Sequence, residues 1–118
     1  MYVRLVVIFM CSKSIKLLQE LKRISNWLDA YQIKNYTIRE DLSVDVIGDV
    51  DLEGKKLKEI PVQFGFVGGY FDCRDNQLTS LKGSPEKVGG YFDCRNNSVN
   101  FRKRDVMDVC EVGGNIYV

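Results

Sequence analysis

Val67-Gly-Gly-Tyr-Phe-Asp-Cys-Arg-Asp-Asn76 returns 21 residues later as Val88-Gly-Gly-Tyr-Phe-Asp-Cys-Arg-Asn-Asn97. Eight adjacent positions, Val67 to Arg74, are identical in the two copies. The offset also runs backwards. Val46, Gly48, Val50, Asp51, Leu52, Leu57 and Ile60 fall in register with Val67, Gly69, Phe71, Asp72, Cys73, Leu78 and Leu81. It runs forwards once three residues are added, at Val112-Gly-Gly-Asn-Ile-Tyr-Val118. A period in the twenties marks a solenoid, whose units bury their apolar faces only against their neighbours.

Side chains alternate along an extended segment. Phe71 and Cys73 then point one way, and Tyr70, Asp72 and Arg74 the other. Parallel stacking about 4.8 Å apart builds two inner ladders, Val50/Phe71/Phe92/Ile116 and Leu52/Cys73/Cys94/Val118, all apolar or thiol. Strands are expected over residues 50–52, 71–73, 92–94 and 116–118. Asn76 and Asn97 form an asparagine ladder that satisfies turn backbone groups. Each Gly-Gly pair suits a tight or left-handed backbone.

These residues carry a family resemblance. Tyr70-Phe-Asp-Cys-Arg-Asp-Asn-Gln-Leu-Thr-Ser-Leu81 resembles the leucine-rich-repeat core L-x-L-x-x-N-x-L. Phe71 and Cys73 stand at the strand leucines, Asn76 at the asparagine and Leu78 at the last leucine. The tail ending in Leu81, followed by Pro85, resembles the short bacterial subtype of secreted effectors, and also the small repeat proteins of tailed phages. The resemblance covers residues 44–118. Lys55 replaces the asparagine in the first unit, and Ser98-Val-Asn-Phe101 departs from the pattern in the last full one. It implies a solenoid with a concave binding face. It also implies a small phage accessory protein in the host cytoplasm that acts on a host factor or defence component. It names no partner.

The rest of the chain supplies a cap. From Ser12 to Tyr31, the residues Ile15, Leu17, Leu18, Leu21, Ile24, Leu28 and Tyr31 recur at helical spacing, with Trp27 beside them. Ser12 or Ser14 can cap the start and Asn35 suits a left-handed stop. Tyr36-Thr-Ile38 and Leu42-Ser-Val-Asp-Val46 read as short strands around a turn at Arg39-Glu-Asp41. A second helical stretch, residues 102–111, can bury Phe101, Val106, Val109 and Cys110. The expected fold class is α/β: about four rungs of parallel strands, an N-terminal capping helix, and a helix before the last strand. Residues 1–43 form the cap and 44–118 the repeats, in one domain.

Residues 3–11 are nearly all apolar. They read as a buried strand, as a weak signal peptide, or as an extension upstream of a start at Met10. They are too short to span a bilayer.

Composition narrows the chemistry. The 118 residues are 45% apolar with a net charge of +1, which fits a globular domain and not a polycation. Without histidine, no Ser–His or Cys–His nucleophile pair can form within the chain. Four cysteines with no C-x-x-C read as free thiols in a reducing compartment. Cys73 and Cys94 read as small buried hydrophobes rather than metal ligands. Asp49-x-Asp-x-Glu-Gly54 imitates half of an EF-hand loop, but its twelfth position is Ile60. Arg102-Lys-Arg104 reads as a solvated helix start.

Function falls to the outer columns: Asp49/Tyr70/Tyr91/Asn115, Asp51/Asp72/Asp93/Tyr117 and Glu53/Arg74/Arg95. Tyrosine and arginine are enriched at binding hot spots. The expectation is a cytoplasmic, non-enzymatic protein-binding module without metal or cofactor. Tyr70, Asp72, Arg74, Tyr91, Asp93 and Arg95 are its partner-binding residues. The alternative is a nucleic-acid-directed factor or small enzyme using the aspartate column, although that column repels phosphate. A second route, to a partner or a homodimer, is strand pairing along residues 115–118.

Overall fold

The structure is a computed structural model that describes Arg4, Leu5 and residues 14–118. In it the repeats stack in register, as expected. Strands β4 (Val50–Asp51), β6 (Phe71–Asp72), β8 (Phe92–Asp93) and β10 (Ile116–Tyr117) form a parallel four-stranded sheet. Phe71 pairs with Val50 on one side and Phe92 on the other, and Ile116 pairs with Phe92. The three extra residues of the last unit therefore leave the register intact. The unit absorbs them around α2 (Lys103–Met107).

A second sheet was foreseen only in the two short strands read at residues 36–38 and 42–46. Strands β1 (Arg4–Leu5), β2 (Tyr36–Ile38), β3 (Val44–Val46), β5 (Phe64–Val67), β7 (Lys87–Val88) and β9 (Glu111–Val112) form it in that order. β2 and β3 are antiparallel, as their short connection requires, and β3, β5, β7 and β9 run parallel. Each turn thus contributes two strands, with a corner between them that is Ile47-Gly48 in the first turn and Gly-Gly in the next three. The valine column Val46/Val67/Val88/Val112, visible in the repeat alignment, is the core-facing ladder of this sheet.

The Gly-Gly pairs serve a different purpose from the one expected. None of these glycines has a positive φ; among the described glycines, Gly54 and Gly83 do. The constraint is proximity. Gly89 N–H donates to Val67 O at 2.9 Å and Gly90 N–H to Gly69 O at 2.8 Å, so the corner backbones lie against one another. A Cβ at Gly89 would collide with the Gly68 carbonyl, and one at Gly113 would lie 2.6 Å from Gly89 O. Only glycine lets one corner sit on the next at ladder spacing.

The asparagine ladder is present. Asn76 Oδ1 accepts from Lys55 N–H at 3.0 Å and Leu57 N–H at 2.9 Å. Its Nδ2 donates to Leu52 O at 2.7 Å and Cys73 O at 3.0 Å. Asn97 repeats the pattern on Leu78 N–H and Cys73 O. Each asparagine reaches back to the preceding turn. The first turn has none before it, and there Lys55 replaces asparagine without loss.

Helix α1 (Ser14–Ala30) buries Leu21, Ile24 and Leu28. Its reach into the repeats is concrete: the Trp27 ring lies 6.3 Å from Phe64, and Phe64 meets Phe71 edge-on at 5.5 Å. Ile15 and Leu18, expected on the buried face, are exposed. The left-handed stop after the helix is Gln32, not Asn35. Gln32 has φ +60°, Ile33 N–H donates to Leu28 O, and Gln32 N–H to Asp29 O, a Schellman closure. Asn35, also left-handed at φ +56°, serves the turn into β2.

Phe101, Val106 and Cys110 are buried beside α2, as expected, whereas Val109, in the segment after the helix, is exposed. Val118 is 44% exposed and Ile116 only partly buried, so the inner ladders are sealed through the third rung alone. The readings of residues 3–11, and the cap at Ser12, lie outside the described residues except for β1, which pairs parallel with β2. No helix among the described residues is long and apolar enough to cross a membrane.

Phe71 and Phe92 are fully buried with rings 5.3 Å apart. Phe71→Ala and Phe92→Ala should each cost about 3–5 kcal/mol in urea melts. Asn76→Ala should cost about 1–3 kcal/mol through stranded backbone groups, while Lys55→Ala, at the corresponding exposed position, should leave the midpoint nearly unchanged.

Candidate functional site

The register that aligns the core also aligns the outer side chains of β4, β6, β8 and β10. Tyr70 and Tyr91, on successive rungs, stack with centroids 4.7 Å apart and planes 8° from parallel. That separation is the rung spacing itself, so the ladder preorganises the pair. Tyr117, two residues further along its strand at the position paired with Asp93, meets Tyr91 edge-on at 5.6 Å. The Arg95 guanidinium lies 5.1 Å over the Tyr117 ring. A continuous aromatic column results, with arginines along one side.

The aspartate column corrects the expectation of an open acidic ladder. Asp51 is exposed, but Asp72 and Asp93 are only 3% and 1% exposed. Each aspartate accepts from the backbone N–H two residues on: Asp51 from Glu53, Asp72 from Arg74 and Asp93 from Arg95, all at 3.1 Å. The repeated aspartate is therefore an Asx turn that ends the strand. Two of the six candidate residues, Asp72 and Asp93, lie under the face rather than on it. Tyr70, Tyr91 and Arg74 are half-buried, and Arg95 is exposed.

The arginines lie over these carboxylates. Arg95 donates through Nε to Asp93 Oδ1 at 3.0 Å and through a terminal nitrogen to Oδ2 at 2.7 Å. Arg74 bridges Glu53 at 3.1 Å, Asp93 at 3.5 Å and Asp72 at 3.6 Å. The two buried carboxyls consequently diverge. Burial pushes Asp72 above its ordinary range, and the Arg74 backbone N–H and side-chain charge only partly oppose it. Burial pushes Asp93 up too, but the Arg95 hydrogen bonds and the Arg95 and Arg74 charges more than reverse this and hold it below. One guanidinium pairs bidentately with Asp93 while the other is shared, and that asymmetry separates two identical repeat positions.

Asp51, Glu53 and Asp72 each bring a carboxylate oxygen within 4.8 Å of the other two. Arg74 already bridges two of them. In the half EF-hand motif, Asp49 Oδ1 accepts from Tyr70 N–H at 3.0 Å, so that oxygen braces the next rung. Cys73 and Cys94 are buried free thiols; burial pushes Cys73 well up and Cys94 up to about 12, which makes both poor nucleophiles. Residues 102–104 are exposed at the start of α2, as read from the sequence. β10 is an outer strand of its sheet, and Tyr117 and Val118 are exposed beside it.

Sequence reasoning undervalued Tyr117, which extends the aromatic column, and missed Phe64, which joins α1 to the repeat core. The alternation Val62-Gln-Phe-Gly-Phe-Val67 was the available signal for the second.

The divergent carboxyls give opposite pH signatures. Asp93 has a lowered folded pKa, so its stabilisation is present above the ordinary carboxylate pKa and is lost as pH falls through its folded value. Asp72 has a raised folded pKa; its ionisation destabilises the fold at neutral pH, and this is relieved as pH falls through that value. In urea melts across the acid range, Asp93→Asn should lower the neutral-pH midpoint and flatten the acid-side loss, and Asp72→Asn should raise the neutral-pH midpoint. Arg95→Ala should lower it by uncovering Asp93.

The chain matches no protein-family model, no curated protein and no solved structure.

Proposed function

We propose that this protein is a non-enzymatic binding module that grips a protein partner with the outer face of β4, β6, β8 and β10. One observation carries this reading: the stacked Tyr70–Tyr91 pair, extended by Tyr117 and flanked by Arg74 and Arg95. These side chains are of the types that dominate interface energetics. They are also held by ladder hydrogen bonds, ring stacking and ion pairs, so little side-chain freedom is lost on binding. Tyr70, Tyr91, Arg74 and Arg95 are the contact residues. Asp72 and Asp93 take part from beneath, by fixing the guanidiniums.

The leucine-rich-repeat resemblance supports the same class of function. It extends the reading to a small phage accessory protein, working in the host cytoplasm on a host factor or defence component. A nucleic-acid-directed role or a catalytic use of the aspartates is less well supported, because two of those carboxylates are buried and engaged by arginine.

Capture from host lysate, with and without nuclease, tests the reading. Wild-type protein should retain a stoichiometric protein partner after nuclease treatment. Tyr70→Ser combined with Tyr91→Ser should abolish capture and lower stability by only about 1–3 kcal/mol, mostly the lost stacking and partial burial. Arg95→Ala is a poorer probe, since it also destabilises. Capture unaffected by the double tyrosine change would overturn the reading and direct attention to the β10 edge, including its pairing with a second copy.

A further inference from the structure

Resting on the reading of this face as a partner surface, we infer that the partner is a basic segment that lays an arginine on the open face of Tyr70, paired with Asp49 and Asp51. The rings of Tyr70 and Tyr91 stack along the solenoid axis, so the second face of Tyr70 is turned toward the first rung. There the column holds Asp49 instead of an aromatic residue. Among the described residues, no ring or cation covers that second face.

Charge on the face is unbalanced in the matching sense. Its columns carry five carboxylates (Asp49, Asp51, Glu53, Asp72 and Asp93) against two guanidiniums (Arg74 and Arg95). Both guanidiniums are committed, Arg95 to Asp93 and Arg74 to Glu53, Asp72 and Asp93. Asp49 and Asp51 are exposed, and each accepts one backbone N–H through Oδ1. Neither is ion-paired to a cationic side chain among the described residues, and each keeps an oxygen for a partner. Burial raises the Tyr70 phenol, and the neighbouring Asp51 and Asp49 charges add to that shift.

The opposite end of the same column shows the chemistry carried out within the chain. Arg95 lies over Tyr117 while forking onto Asp93. Tyr70 with Asp49 and Asp51 offers a ring and carboxylates of the same kind, and its arginine is missing. A planar guanidinium can stack and fork at once; an ammonium can do only one of these well. Phosphate is disfavoured by the acidic excess.

The test titrates isotope-labelled protein with three blocked peptides of equal length, carrying two arginines, two lysines or two glutamates among glycines. The arginine peptide should shift the backbone amides of residues 49–53 and 70–72, with lysine several-fold weaker and glutamate inert. Asp49→Asn with Asp51→Asn keeps the Oδ1 acceptors and the melting midpoint, and should weaken the arginine peptide at least tenfold. Equal response to arginine and lysine, no response at millimolar peptide, or indifference to the double change would each overturn the inference. With the captured partner, loss in the tyrosine variant but full retention in the aspartate variant would sink the arginine site and leave the surface reading intact. Retention in both would sink both.

Discussion

The structure depends on the approach of one turn's backbone to the next at the Gly-Gly corner. There Gly68, Gly89 and Gly113 donate to Val46, Val67 and Val88 of the preceding turn at 2.8–2.9 Å. A side chain at these corners would meet a carbonyl of the turn below. Once the corner is fixed, the strands on both sides have no freedom of register, because a slip by one residue would turn every buried side chain outward. Both sheets are set by the same contact.

Register then converts sequence identity into columns. Phenylalanine stacks on phenylalanine in the core, and tyrosine on tyrosine outside it. Asparagine is the interior counterpart. It bonds both its own turn and the one before, so it locks neighbouring turns where the chain leaves the sheet. A column of identical aspartates would repel itself in isolation. The fold resolves this by closing each into an Asx turn and laying guanidiniums across the second and third. The arginines are therefore as much part of the architecture as of the outer surface, and their rigidity follows from that double duty.

This economy shapes the outer face. Identical units would give a uniform surface, and departures from identity give it direction. Asp49 stands where the next two turns carry tyrosine, and Tyr117 stands where earlier turns carry aspartate. One end of the aromatic column is consequently acidic and open, and the other is closed by the chain's own Arg95. Such an asymmetric surface can orient a ligand along the stack.

The repeat, its register, the four outer-sheet strands, the inner phenylalanine ladder and the asparagine ladder were all legible in the sequence. Each follows from local alternation multiplied by a fixed offset, and both are properties of the chain alone. The terminal helix was legible from its periodicity, but not which residues would be covered. Ile15 and Leu18 fit the apolar stripe and lie exposed, since burial depends on the surface a helix meets. The first strands of the second sheet, at residues 36–38 and 42–46, were legible, but its continuation through β5, β7 and β9 was hidden because those strands are short and lie across a corner that reads as a turn. The aspartates show the difference most clearly. Alternation places Asp72 and Asp93 on the outer side of their strands, yet outer is not exposed. The arginine two residues on lies over each of them, and Asp93 is also paired with Arg74 from the preceding turn, so whether the side chain is covered is decided by guanidiniums that only the folded stack brings into place.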